Sequence, residues 1–436
     1  MTNTLPNLQF IIHRGSHQIG GNCVEIVSPN SRVLIDCGLP LDYDEYDPET
    51  QKEIHENAQK WAKNCDAIFL SHYHGDHYGL LYEAPIGTEV FTSNETAVLM
   101  ELSGVFGEDL TKRLDIQTGR SFTFKDFRVT QFAVDHSAFG ACAFLIEVGG
   151  KTILYSGDIR LHGKKGVLYK YLPQDVDYLF LEGTNLGRDV KQKTEKAVEN
   201  EFVKRFSDNP DSLHLVWCSS QNIDRIVALY RACIRSGRTL CIDPYTALVL
   251  ELIHNVHPTI PTAKTHSNLM IYYPSNLTSK MMKRDEGNIY GPYSSGKKMD
   301  MDDFWANPSK YVLVFRPNLL RDLKKYISNI KVCLTTSIWA QYWEQDKPEI
   351  KHLKAWLDEK PALRMRLPDI HTSGHADVAS LQKIVEHVRP KYIVPIHTEH
   401  SEGFKGLFPK ETVLNVEDEV CYSMDDPIIW KSTNSL

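Results

Sequence analysis

Ser71-His72-Tyr73-His74-Gly75-Asp76-His77-Tyr78-Gly79 places three imidazoles and one carboxylate within six residues, directly behind the apolar run Ala67-Ile68-Phe69-Leu70. The run reads as a buried strand. A segment spaced H-x-H-x-D-H has no hydrophobic face of its own, so it reads as the loop at that strand's carboxyl end, where α/β sheets present ligand sites. His72 and His74, one residue apart, can aim at a single ion, while the adjacent Asp76 and His77 can face a second. Two divalent ions roughly 3.5–4 Å apart are the usual arrangement for activating a water and clamping a displaced oxygen.

A lone histidine in such a loop is ordinarily a solvated polar side chain. The spacing argues otherwise here: H-x-H-x-D-H behind a strand is the signature of the metallo-β-lactamase superfamily, which this chain resembles at residues 72–77. The rest of the sequence can then be searched for the ligands still missing.

With 436 residues, 42% hydrophobic and 24% charged, the chain is long enough for one large or two medium globular domains and is not of disordered composition. The start, Met1-Thr2-Asn3-Thr4-Leu5-Pro6, is not a basic-plus-apolar leader, and no apolar run approaches the roughly 18 residues of a membrane span. The expectation is a cytoplasmic protein with no membrane partner. Nine cysteines without a C-x-x-C pair, several inside apolar runs (Cys218, Cys241, Cys333), read as reduced core residues. A net charge of −7 argues weakly against a polyanionic substrate. Bound divalent ions, or basic side chains gathered in a cleft, would reverse that argument locally.

In chain order, residues 8–13 and 32–36 read as two strands punctuated by Gly15, Gly20 and Gly21, the second ending in Asp36. Residues 88–93 and 127–134 read as further strands, the latter running into Asp135-His136-Ser137. His136 is the expected third imidazole of the first ion. Residues 141–148 and 151–156 flank Gly149-Gly150, a hairpin signal, and end in Ser156-Gly157-Asp158, whose carboxylate can bridge two ions. Residues 176–181 form a strand reaching Glu182.

From there the pattern alternates between helix and strand, predicting a parallel α/β domain. One helix carries Val190, Ala197, Val198 and Phe202, and another carries Ile223, Ile226, Val227, Tyr230 and Ile234 and stops at Gly237. Strands are expected at 213–218, 239–242, 270–273, 311–315 and 332–335, with 280–303 as a mobile loop. In Trp217-Cys218-Ser219-Ser220-Gln221-Asn222-Ile223-Asp224-Arg225, a strand turns into a helix. Ser219, Ser220, Asn222 and Arg225 are the expected phosphate-holding residues there, against the plainer reading of an ordinary capped helix. The closing part returns to histidine: Ser373-Gly374-His375, a helix with Leu381, Ile384 and Val385, then a strand ending at His397.

Glu182, Ser373-Gly374-His375 and Ile396-His397 resemble the three extra motifs of the β-CASP group of metallo-β-lactamase proteins, and among these the ribonuclease J family most closely. Runs at 18–22, 219–225 and 389–397 carry the likeness along nearly the whole chain. The resemblance implies an αββα metallo-β-lactamase sandwich discontinuous in sequence, 1–183 and 368–436, with an α/β β-CASP domain inserted at 184–367. It implies two divalent ions, zinc first and manganese second, held by His72, His74 and His136 on one side and Asp76, His77 and His397 on the other, with Asp158 between. Asp36 would brace the metal loop without binding metal. The implied reaction is hydrolysis of RNA phosphodiester bonds by a hydroxide activated at the two ions, with Asp76, His375 and Glu182 as catalytic groups. Glu182 would keep His375 protonated to contact phosphate or serve the leaving oxygen, and Ser373 and Gly374 would help hold substrate.

The implied partner is RNA in single-stranded form; the sequence carries no signal for an oligomeric state. Two departures are visible. Ribonuclease J has an additional C-terminal domain for which nothing after Met424 is long enough, and His397-Thr398-Glu399 stands where the family has His-Gly-Glu. A small-molecule metallo-hydrolase would not need the long insert. A β-CASP DNA nuclease is the closer rival, although eukaryotic DNA enzymes of the group usually carry Val where His397 stands.

Overall fold

The computed structural model describes residues 8–188, 191–284, 298–427 and 431–432. The chain divides into two compact units, one of residues 1–101, 109–191 and 374–436, the other of residues 102–108 and 192–373.

The first unit is built on two sheets. Among the described residues, the first sheet has eight strands, in the order Lys431–Ser432, Cys421–Ser423, Gln9–Arg14, Cys23–Val27, Arg32–Ile35, Ala67–Phe69, Glu89–Thr92, Asp115–Thr118. The second has seven: Thr412–Val413, Tyr392–Ile396, Tyr178–Glu182, Lys151–Tyr155, Cys142–Val148, Phe127–Ala133, Ser121–Phe124. Alternation sets the facing surfaces. In Phe127–Ala133, Phe127, Val129 and Gln131 are buried while Arg128 points out. Phe10, Ile12, Val24, Ile35 and Phe69 of the first sheet meet Phe144, Ile146, Tyr155 and Phe180 of the second in one core. A second cluster lies on the other face of the second sheet, where Leu154, Leu179 and Ile393 pack on Leu381, Ile384 and Val385 of helix Val378–Val388. Helix Pro48–Asn64 buries Ile54, Ala58, Trp61 and Ala62 and contacts strand Arg32–Ile35. The layers are therefore helix, sheet, sheet, helix, the sandwich expected from the sequence.

Strand direction decides where side chains are delivered. Lys151–Tyr155, Tyr178–Glu182 and Tyr392–Ile396 are parallel neighbours, with Tyr155 opposite Phe180 and Glu182 opposite Ile396. Their carboxyl ends bring Asp158, Glu182 and His397 to one edge. Phe127–Ala133 is separated from Lys151–Tyr155 by one antiparallel strand, so it ends at the same edge and delivers His136 there. In the first sheet, Arg32–Ile35 and Ala67–Phe69 are parallel, with Ile35 opposite Phe69, which sets Asp36 beside the start of the His-rich loop. The Gly149-Gly150 turn has φ of +55° and +75°, a hairpin geometry that β-branched residues resist.

The second unit is a six-stranded sheet in the order Leu269–Ile271, Thr239–Ile242, Tyr311–Phe315, Leu213–Trp217, Val332–Thr336, Arg364–Leu367, every neighbouring pair parallel. Its strands are buried as continuous apolar runs, as in parallel sheets covered on both faces. The expected helices appear as Glu195–Asp208 and Ile223–Arg235. Val190, assigned to the first of these from the sequence, lies outside the described residues. The expected loop at 280–303 is not one loop. Helix Ser275–Arg284 covers its beginning and helix Met301–Ala306 its end, each supplying apolar residues to neighbouring elements; 285–297 lie outside the described residues. Among the described residues no helix is long and apolar enough to cross a membrane. All nine cysteines are free, and eight of them are buried.

Candidate metal centre

The His-rich loop is held by its backbone. Asn22 N–H donates to Asp76 O at 3.0 Å, Cys37 N–H to His77 O at 2.8 Å and Leu39 N–H to Gly75 O at 2.9 Å. The approach is close enough that a Cβ on Gly38 would stand 1.7 Å from Asp76 O. That position requires glycine.

Four of the five imidazoles, those of His72, His77, His136 and His397, have a partner on Nδ1, while His74 Nδ1 lies 3.1 Å from His136 Nε2. Asp36 accepts four hydrogen bonds: Ser71 N–H at 2.7 Å on Oδ1, then Ser71 Oγ at 2.9 Å, His77 Nδ1 at 2.7 Å and Tyr155 hydroxyl at 2.8 Å on Oδ2. Ser71 spends its one hydrogen on Asp36 and so accepts from His72 Nδ1–H at 3.0 Å. His136 Nδ1–H donates to Gly374 O at 2.6 Å. His397 Nδ1 lies 2.7 Å from Thr184 Oγ1. In each case the proton on Nδ1 leaves Nε2 with a lone pair facing inward. Asp36 and His397 both adopt positive φ, +60° and +51°, conformations a non-glycine residue holds only where surrounding contacts enforce them. Thr398, which follows His397, donates its hydroxyl to Gly183 O at 3.0 Å.

The inward atoms fall into overlapping groups whose ligand atoms all lie within 4.8 Å of one another: His72, His74 and His136; Asp76, His77, Asp158 and His397; His136, Asp158 and His375; Glu182, His375 and His397. Asp158 is central. Its Oδ2 lies 3.2 Å from His77 Nε2 and 3.6 Å from Nε2 of both His72 and His136, and its Oδ1 lies 3.9 Å from His397 Nε2. Both Asp158 oxygens and Nε2 of His72 and His77 are buried, yet none makes a hydrogen bond of good geometry. Buried polar atoms are ordinarily satisfied. Four left open around one point are what a cation-binding donor set looks like without its cation.

Protonation fits the same reading. Burial, reinforced by neighbouring imidazoles, holds His72 and His136 well below the ordinary histidine range, hence neutral. Burial would raise Asp158, but His397, His77 and His375 overcome it and keep the carboxyl ionised. Neutral imidazole and ionised carboxylate are the forms that bind metal. His77 is the exception: burial is outweighed by Asp158, Asp36 and Asp76, which raise it well above the ordinary value, so it would have to lose a proton from Nε2 to serve as a ligand.

His375 stands apart. Its side chain keeps 19% exposure, and its Nδ1 is 3.7 Å from both Glu182 Oε2 and Asp158 Oδ2. Burial opposes its protonation, yet the two carboxylates prevail and raise its pKa to about 9. Glu182 is fixed by Thr184 N–H on Oε2 and Ala376 N–H on Oε1, both at 2.9 Å.

At the edge where these strands end, the model of the metallo-beta-lactamase superfamily matches residues 18–182, and that of a Zn-dependent metallo-hydrolase RNA specificity domain matches residues 360–412. Residues 18–182 thus carry a metallo-β-lactamase superfamily domain. The metal-loop histidines, His136 and Asp158 fall in the first match, His375 and His397 in the second. A relative in Methanocaldococcus jannaschii, "Probable RNase MJ4", is 28% identical over 45% of this chain and 50% of its own length, so the alignment spans half of that protein. An "RNase J-like protein" of the same organism is 25% identical over 90% of this chain and 92% of its own. "Ribonuclease J" of Mycoplasma pneumoniae is 22% identical over 94% and 70%. A crystal structure of a protein of unknown function from Enterococcus faecalis V583 shares the fold, with a TM-score of 0.73 at 20% identity, covering 94% of this chain and 98% of that one.

Thr184 is the site residue that sequence reading missed: its Oγ1 lies 2.7 Å from His397 Nδ1 and 3.0 Å from His375 Nδ1. Its place two residues after Glu182 was the available signal. Asp135, next to His136, was also passed over; it is buried and accepts from Arg160 Nε at 2.6 Å.

The residues expected to hold phosphate behave differently. Gly374 approaches His136 so closely that a Cβ would lie 2.9 Å from its Cε1 and 2.4 Å from Ser137 Oγ. Ser373 N–H donates to Gln192 Oε1 at 3.1 Å. In the second unit, Ser219 is exposed, Ser220 is buried against Thr246 at 2.7 Å, and Asn222 caps its helix by accepting from Arg225 N–H at 3.0 Å. Arg225 does not face solvent. Its guanidinium is fully buried, donating to Ser337 O at 3.0 Å and to Ser337 Oγ, with Glu195 Oε1 at 3.4 Å. The expectation of a phosphate contact by Arg225 is corrected accordingly: a buried cation is tied to a buried anion. Arg225→Ala is expected to cost about 3–5 kcal/mol in equilibrium unfolding, the scale of a broken buried pair, rather than to flatten the salt dependence of substrate binding.

Proposed function

We propose that the chain is a metal-dependent ribonuclease hydrolysing phosphodiester bonds of single-stranded RNA. The observation that carries this is Asp158, whose two unsatisfied oxygens lie between the imidazole group His72, His74, His136 and the group Asp76, His77, His397. The names of its relatives and the RNA specificity match across residues 360–412 support RNA as the substrate.

His72, His74 and His136 would hold one divalent ion and Asp76, His77 and His397 the other, with Asp158 shared; imidazole-rich sets suit zinc ahead of manganese. When bound, the ions supply Lewis acidity for activating water and for offsetting negative charge on the phosphoryl oxygens. The protein's own groups do the rest. Asp36, Ser71 and Thr184 fix ring orientation before substrate arrives. His375, protonated between Glu182 and Asp158 and partly open to solvent, can donate from Nε2 to a phosphate oxygen or to the departing oxygen. Glu182 cannot swing away from it, because two backbone N–H groups pin its carboxylate.

Digestion of matched single-stranded and duplex RNA and single-stranded DNA by purified protein, with and without chelator, tests the reading. Single-stranded RNA alone should be cut, and only without chelator; equal cutting of DNA would move the chain to the DNA-processing branch. Thr184→Val, which keeps shape but removes the hydroxyl shared by His375 and His397, should weaken metal affinity or activity roughly 10–100-fold, the usual cost of losing a partner of a metal ligand. Metal titration of the variant checks this.

A further inference from the structure

His136 and Asp158 follow strands that do not touch. Phe127–Ala133, which leads to His136, and Lys151–Tyr155, which leads to Asp158, pair with opposite edges of Cys142–Val148, Ala133 opposite Cys142 and Tyr155 opposite Phe144. Strands two places apart in a sheet lie roughly 9–10 Å from each other, so no ladder hydrogen bond sets the spacing of their ends. Yet His136 Nε2 lies 3.6 Å from Asp158 Oδ2. The chain beyond the strands has to close that gap.

The closing contacts converge on Asp135. After Tyr155 the backbone turns at Gly157, φ +53°, where a Cβ would stand 2.9 Å from Cys142 O at the start of the middle strand. Ile159 is then buried in the cluster that holds Val134 and Ala138. Arg160 meets Asp135 twice, its N–H donating to Asp135 O at 2.7 Å and its Nε to Oδ1 at 2.6 Å. Lys165 N–H donates to Oδ2. Gly163 backs the carboxylate so closely that a Cβ there would lie 2.1 Å from Oδ1. Both side chains of the ion pair are fully buried. A buried ion pair seldom gives more stability than well-packed apolar residues of the same volume, so its presence asks for another reason. Its place supplies one: Asp135 directly precedes His136, and Arg160 is two residues past Asp158.

We propose that Asp135 and Arg160 are a positioning pair for the metal centre, tying the His136 and Asp158 loops together at the spacing that one divalent ion requires. Neither belongs to a group that could itself hold the ion. The inference rests on the two-ion reading and adds an asymmetry to it. The ion of His72, His74 and His136 depends on the pair through two ligands, His136 and Asp158, whereas the ion of Asp76, His77 and His397 depends on it through Asp158 alone.

The test is zinc titration of the full chain, first stripped of metal, against a competing chelator, with thermal unfolding of the metal-free proteins measured alongside. Three variants are compared with the wild type. Gly163→Ala keeps both charges and displaces only the Asp135 carboxylate; Asp135→Asn removes one charge; Asp135→Leu with Arg160→Met replaces the pair by apolar side chains. In each, one of the two zinc dissociation constants is expected to rise about tenfold or more, the usual cost of disturbing what orients a metal ligand, and the other to rise less. A pair that served the fold alone would lower the unfolding temperature and leave both zinc constants at their wild-type values, and that result overturns the proposal. Equal weakening of both ions overturns it as well, because the pair joins two ligands of only one of them. Should Asp135→Asn or the double variant unfold, Gly163→Ala decides. Wild-type protein that binds fewer than two zinc ions defeats the two-ion reading itself, a failure seen before any variant is compared.

Discussion

Asp158→Ala is expected to lower bound metal from two ions per chain to fewer than one and to reduce RNA hydrolysis by about 10³ or more, beyond the effect of losing a single electrostatic donor. The reason lies in its position. One carboxylate faces Nε2 of His72, His77 and His136 through Oδ2 and His397 through Oδ1, so removing it takes a ligand from both groups at once. Asp158→Asn, which keeps the volume but not the charge, should behave nearly as badly. Elemental analysis alongside turnover checks both. Full metal content with full activity in Asp158→Ala would remove the shared carboxylate from the account.

His375→Ala is expected to lower turnover roughly 10²–10⁴-fold, the range of a lost general acid, with metal content unchanged. The second half of that statement discriminates. His375 also lies within ligand range of His136 and Asp158, and of Glu182 and His397, so geometry alone would allow it to bind metal. Its 19% exposure, against 0% for the rings of His72, His77, His136 and His397, sets it apart from that buried set and leaves it open to a substrate oxygen instead. Metal lost together with His375 would place it among the ligands.

The sequence made the metal edge legible because its residues are dense and local: four groups within 72–77, then His136 and Asp158 each directly behind an apolar run. The parallel second unit was legible for a similar reason, since buried strands appear as short continuous apolar runs. What stayed hidden depends on partners far away in the chain. Arg225 looked like a surface cation on a helix's first turn; its burial is set by Ser337 and Glu195, 112 and 30 residues away. Thr184 reads as an ordinary turn residue until His375 and His397 are brought over it from 191 and 213 residues away. Helix Pro48–Asn64 is a different case. Asp47 at the N-cap before Pro48, and apolar residues at 54, 58, 61 and 62, were visible, but its charged remainder masked the apolar stripe.

The central claim is that two ions share Asp158. An anomalous difference map of crystals of the zinc-loaded protein tests it most directly. The account predicts two peaks, one enclosed by His72, His74 and His136 and the other by Asp76, His77 and His397, with Asp158 touching both. A single peak, or a peak ligated by His375, would contradict it.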